Sequence, residues 1–142
     1  MFTPAAGPPS LEPPHPAIFA ALGVDGITAL VRAVYRNIGQ SPIASMFPQG
    51  EAALMAAADK SALFWVTICG GPPLYAETYG PPMMRKRHFG FAITAEARTQ
   101  WLACWDPVLE TAPEQFGFPS EHLAGFKAWM EGFAGWMVNT ED

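Results

Sequence analysis

The sequence predicts an all-α fold. Apolar residues recur at helical spacing in four long segments, and helix-starting and helix-stopping residues bracket those segments. No run shows the alternation of a half-buried strand.

Along the chain, the first 16 residues hold six of the 15 prolines, at positions 4, 8, 9, 13, 14 and 16. This composition predicts a flexible proline-rich arm over 1–16, followed by one domain over 17–142. Ile18–Leu22 fits a first helical turn or two. Apolar residues at 24, 27, 30, 31, 34, 35 and 38 mark one face of a helix from Val24 to Ile38, with Asp25 as N-cap and Gly39 as C-cap. Ser41-Pro42 opens a short helical segment that ends at Phe47-Pro48. Glu51–Cys69 reads as a long helix, stopped by Gly70-Gly71-Pro72-Pro73. A loop to Gly80 and a short helix from Pro82 to His88 follow. Thr94 caps the next long helix, in which Trp101, Leu102, Trp105, Val108 and Leu109 share a face. Pro107 should kink it or end it early. Pro119-Ser120 opens the last helix, with Leu123, Phe126, Met130, Phe133 and Met137 in one stripe.

Composition narrows the function. In 142 residues, half are apolar and 15% are charged, which excludes a wholly disordered chain. The net charge of -5 argues against nucleic acid, whose phosphates need a basic face. The two cysteines, Cys69 and Cys104, form no CxxC pair and no zinc pattern. The most apolar stretch, Ser61–Ile68, is too short to span a bilayer, and the N-terminus shows no secretory signature. The expectation is a cytoplasmic protein without a membrane partner. Five Trp and ten Phe mean either a very aromatic core or an apolar pocket.

Hydrolytic and nucleotide motifs (GxSxG, HExxH, GxxxxGK[ST]) are lacking. Of the three histidines, His15 sits among prolines and His122 in the first turn of the last helix, so both read as surface residues. His88 ends a cationic segment, Met83-Met84-Arg85-Lys86-Arg87-His88, and Phe89-Gly90-Phe91 follows. An imidazole that ligates a metal through one nitrogen needs an acceptor for the other, and the carbonyl one turn back, near Met84, is in reach. Three neighbouring cations disfavour a free metal cation and favour an anionic cofactor. Haem meets both conditions, with an iron for the imidazole and two propionates for the cations. A histidine that simply ends a helix satisfies the same residues.

The string GGPPLYAETYGPPMMRKRHFGFAITAEARTQWLAC, Gly70–Cys104, resembles the central segment of the truncated haemoglobins, most of all their second group, the O-type. That group runs roughly GGPxxYxxxxGHPxLRxRHxxFxI, with a tryptophan thirteen residues after the histidine. His88 and Trp101 keep this spacing, and the likeness extends over about residues 24–109.

The resemblance implies a two-over-two helical sandwich around one haem b. His88 would be the proximal iron ligand. Tyr35 and Trp101 would donate hydrogen bonds to the ligand on the iron. Phe47 would pack on the haem face, and Ala57 and Ser61 would face the iron from the distal helix. Lys60, Arg87 and Tyr75 would contact propionates. Phe64, Trp65, Met84, Phe91 and Ile93 would line the pocket. Read without the resemblance, Tyr35 and Trp101 fit ordinary core positions, and Lys60 and Arg87 fit solvated cations.

Three departures stand out. Pro81 replaces the family's histidine after the loop glycine. Gly23-Val24-Asp25-Gly26 breaks an N-terminal Gly-Gly. Pro107 falls in a helix that carries a distal residue. The function implied is binding of O2, CO, NO or peroxide at a five-coordinate iron, for sensing or ligand chemistry rather than bulk oxygen transport. A peroxidase or NO-oxidising enzyme would need a separate reductase, because no flavin or nicotinamide motif is present. A haem-free helical interaction domain is the third class. Both a monomer and a homodimer fit the sequence.

Overall fold

Residues 12–141 are described by a computed structural model, and they form helices and turns without a strand. Helix α1 spans Ala17–Gly39, α2 Glu51–Ile68, α3 Leu74–Tyr79, α4 Met84–Arg87, α5 Ala95–Phe116 and α6 Leu123–Met137. Short 3-10 turns stand at Ala44–Met46 and Ser120–His122.

Helix α1 packs against α2 and α5, α5 against α6, and α4 against α6. The α1–α2 pair thus lies on the α5–α6 pair as a two-over-two sandwich. Trp65 of α2 is the hub between the layers. Its ring meets Trp105 of α5 at 5.0 Å, and Phe126, Trp129 and Phe133 of α6 at 5.7–5.8 Å. Tilted and edge-to-face contacts of this kind add about 0.5–1.5 kcal/mol each beyond the apolar area they bury. The apolar stripes continue this core, with Val31, Val34, Ile38, Leu109 and Met130 almost wholly buried.

Helix α1 is two helices joined at Gly23, whose φ of 67° and ψ of -176° break the helical run, in line with the separate segments Ile18–Leu22 and Val24–Ile38. Other expectations change. The second part therefore starts at Val24, which is exposed, and Asp25 lies inside its first turn rather than at the N-cap. The C-cap is Gln40, one residue beyond Gly39. By length and composition alone α1 could cross a membrane, with a mean hydropathy of 1.8 over 18 residues, which Ser61–Ile68 is too short to do. Its buried side carries one face of the core.

The expected loop before Gly80 contains α3. The Gly70–Pro73 run stops α2 at Ile68 as expected, and Pro72 and Pro73 also precede α3, where a missing N–H costs no bond. The next short helix is only Met84–Arg87, entered through Met83 in the left-handed region at φ 41°. Helix α5 neither ends nor loses helical backbone angles at Pro107, which is exposed, and it continues past Pro113 to Phe116. Thr94 caps it as expected, accepting from the Ala97 N–H at 3.0 Å.

Of the proline-rich arm, residues 1–11 lie outside the described residues. Its last part is packed: Pro14 is buried, and His15 stacks on His122 with centroids 3.9 Å apart. The contact seats the start of α1, where the Ala17 N–H donates to His15 Nδ1 at 3.0 Å. Close by, the end of α2 meets the same chain entry. A Cβ on Gly70, at φ 98°, would lie 2.6 Å from the Pro16 backbone, and one on Gly71 would lie 2.6 Å from the Phe19 ring. The Gly-Gly pair is therefore a close-approach device as well as a helix stop.

Candidate functional site

Between the two helical layers lies a cavity of about 560 Å³. Pockets of roughly 300–1,000 Å³ hold cofactors and other sizeable ligands. Every residue singled out in the sequence lines it: Tyr35 from α1, Phe47 from the following turn, and Ala57, Lys60, Ser61, Phe64 and Trp65 from α2. Tyr75 comes from α3, Met84 and Arg87 from α4, His88, Phe91 and Ile93 from the segment after it, and Trp101 from α5.

His88 follows α4 as its C-cap residue, and its Nδ1 lies 2.6 Å from the Met84 carbonyl oxygen. With the N–H on Nδ1, that carbonyl accepts, and the lone pair of Nε2 is left for a ligand. No partner among the described residues engages Nε2.

Tyr35 stands edge-on to Phe47 at 5.6 Å. Burial pushes its phenol above the usual tyrosine range, while a side-chain hydrogen bond with Ser61 pulls the other way. Tyr35 therefore keeps its O–H as a donor. The Trp101 ring is fixed by stacking on Trp65, at 6.4 Å and 27°, and by Trp105 at 5.5 Å. Its indole N–H has no protein partner among the described residues.

The cations at the cavity edge are partly committed. Arg87 donates from Nε to the Pro82 carbonyl at 2.6 Å, and from Nη2 to the carbonyls of Tyr79 and Pro81 at 2.7 and 2.9 Å. Its guanidinium also lies 5.3 Å from the Tyr75 ring centre. Arg87 thus organises the α3–α4 loop, including the carbonyl of the Pro81 that departs from the family pattern. Lys60 sits with Nζ 4.5 Å over the Tyr79 ring.

The sequence reading missed Ile43, Met46 and Pro48 from the turn after α1, Ala97 and Arg98 from the start of α5, and Phe133, Ala134 and Met137 from α6. The α6 stripe was read as a packing face, and periodicity alone does not separate core from pocket wall. Arg98 had a signal, since it precedes Trp101 by three positions and so shares its helix face.

An apolar cavity that presents one free imidazole nitrogen and two unpaired or weakly engaged donors, with cations at its edge, fits haem. The bacterial-like globin family model matches residues 17–139. The chain belongs to the bacterial-like globin family. It is a truncated haemoglobin of the second group. It is 35% identical over 124 residues to the group 2 truncated hemoglobin YjbI of Bacillus subtilis (strain 168), covering 87% of this chain and 89% of that protein. Among solved structures, the group II truncated haemoglobin of Bacillus anthracis matches with a TM-score of 0.76 and 31% identity, covering 92% of this chain and 95% of that one. The phosphate-bound Hell's gate globin IV gives a TM-score of 0.84 and 34% identity, over 94% of this chain and 81% of that one. As a truncated haemoglobin the protein binds haem b and small diatomic ligands such as O2.

Proposed function

We propose that this truncated haemoglobin holds its haem through His88 and retains bound O2 through Tyr35 and Trp101, for sensing or ligand chemistry rather than bulk oxygen transport. The observation that carries the reading is the shared cavity. His88, with Nδ1 committed to Met84, lines the same space as the O–H of Tyr35 and the N–H of Trp101.

Haem supplies an iron with an open position for a small ligand. The protein's part is to hold and to select. Phe47, Phe64, Trp65, Met84, Phe91 and Ile93 exclude water from the faces of the ring. Lys60, Arg87 and Tyr75 receive the propionates at the edge, with Arg87 limited to what its three carbonyl bonds leave free. Ala57 and Ser61 are small and leave room on the distal side.

Two donors aimed at a ligand that carries partial negative charge contribute about 1–3 kcal/mol each in a dry pocket. That slows release of O2 by about tenfold per 1.4 kcal/mol. Slow release suits peroxide reduction, NO oxidation to nitrate or sensing. The two reactions need electrons, and the donor would be a separate reductase.

The test is an absorption spectrum of the haem-loaded protein, oxidised, reduced and with CO. A Soret band that shifts sharply with CO, is lost in His88→Gly and returns with added imidazole supports the reading. A band unchanged in His88→Gly overturns it.

A further inference from the structure

Helix α4 has four residues and buries none of them. So short a helix has no stability of its own, because nucleation costs more than one turn of bonds returns. Whatever holds His88 in place must come from elsewhere in the chain.

Arg87 ties the start of this segment to the carbonyls of Tyr79, Pro81 and Pro82, and the residues after α6 tie the rest. Asn139 lies two positions beyond the end of α6 and is bound to the segment after His88 at every polar atom of its amide. Its Oδ1 accepts from the Ile93 N–H at 2.9 Å. Its Nδ2 donates to the Phe91 carbonyl at 3.0 Å and, more weakly, to the His88 carbonyl at 3.4 Å. Its backbone N–H donates to the Ile93 carbonyl at 2.9 Å. The hydroxyl of Thr140 donates to Oδ1 at 2.7 Å, which fixes the orientation of the amide. On the other side of His88, Arg85 Nε donates to the Trp136 carbonyl at 2.8 Å. The histidine is therefore bracketed by two tethers to one short stretch of chain.

We propose that Asn139 is a positioning residue for His88. Its amide fixes the turn that follows the histidine, and with it the direction in which the imidazole enters the cavity. Asparagine suits the task because one side chain supplies both a donor and an acceptor. Aspartate offers no donor for the two carbonyls, and alanine offers neither group. Outer partners of a metal-ligating histidine set its orientation, and their loss costs tenfold or more in metal affinity. The proposal rests on His88 as the haem ligand.

The experiment uses the full haem-loaded chain as Asn139→Ala, Asn139→Asp and the unsubstituted protein. The readouts are the iron–histidine stretching band of the ferrous protein by resonance Raman, the rate of haem loss to a scavenging apoglobin, and Tm. The expected result is a shifted or broadened band in Asn139→Ala, with haem loss faster by on the order of tenfold. Asn139→Asp keeps the acceptor for Ile93 and should fall between. A band unchanged in Asn139→Ala overturns the proposal, even where Tm falls and haem is lost faster, because that pattern is loss of stability alone. Should Asn139→Ala fail to fold, Asn139→Asp decides in the same way. The reading beneath it is tested apart: His88→Gly must lose the band. If it does not, the ligand assignment fails, whatever Asn139 does.

Discussion

Arg32 of α1 and Asp59 of α2 form a paired contact, with Nε and Nη2 each 2.7 Å from a carboxylate oxygen. It clips together the two helices that carry Tyr35 and Ser61. Both side chains are about two-fifths exposed, so solvent screens the attraction. The Arg32 guanidinium holds the Asp59 carboxyl below the usual carboxylate range. A lowered folded-state pKa means that the stabilisation is complete above the unfolded-state value and fades as pH falls through the folded one. Asp59→Asn should lower Tm by no more than a few degrees at neutral pH, and the difference should vanish in acid and shrink with salt. A Tm difference that persists at low pH would assign the effect to packing.

Tyr35→Phe and Trp101→Phe should each speed O2 release by about tenfold, the loss of one hydrogen bond in a dry pocket. Stopped-flow displacement of O2 by CO measures this. An unchanged rate in Trp101→Phe removes that indole from the donor set.

The raised pKa of Tyr35 predicts a pH profile for the same rate. Ionisation would remove the O–H donor and speed release. Because burial moves that ionisation upward, the rate should show no step near the ordinary tyrosine value of about 10. A step there, absent in Tyr35→Phe, would mean that the phenol titrates as if exposed.

Gly70→Ala should destabilise the protein by about 1–3 kcal/mol from its backbone angles alone. The added methyl also meets the Pro16 backbone at 2.6 Å. Thermal unfolding of the apo and haem-loaded forms reads the loss, and a Tm within a degree of the unsubstituted protein would show that the α1 entry simply moves aside.

Burial pushes the Cys69 thiol up to about 12 and raises that of Cys104 as well. Neither should react with a thiol-titrating reagent near neutral pH in the folded protein, and both should react in denaturant. Rapid labelling of the native protein would contradict the burial of these side chains.

The four long helices were legible because each turns one apolar stripe inward, and the stripe is written into the chain at a fixed period. What was lost lay where backbone geometry overrides residue type. Gly70–Pro73 stops α2 as read, but the same prolines also lead into α3, in a stretch that reads as loop. Pro107 reads as a break, yet it faces solvent on α5 and its missing bond is tolerated. The pocket was legible through the order of Tyr75, Arg87, His88 and Trp101 in one stretch. The walls from α6 were not, since Phe133 and Met137 follow the same stripe as plain core residues. Nor was Asn139, whose partners at 88, 91 and 93 are close to it only in space.

That separation has a consequence for how the protein is made. Synthesis is vectorial, and His88 emerges from the ribosome well before Asn139, 51 positions later. Until Trp136 and Asn139 are free, the histidine's turn lacks the amide that ties it and Arg85 lacks its carbonyl partner. Helix α6 ends two residues before Asn139, so the contacts of Trp65 with α6 and the tether of the His88 turn are completed almost together. On the proposal that Asn139 positions His88, haem capture in its final geometry waits on Trp136 and Asn139 as well as on the folding of α1 and α2.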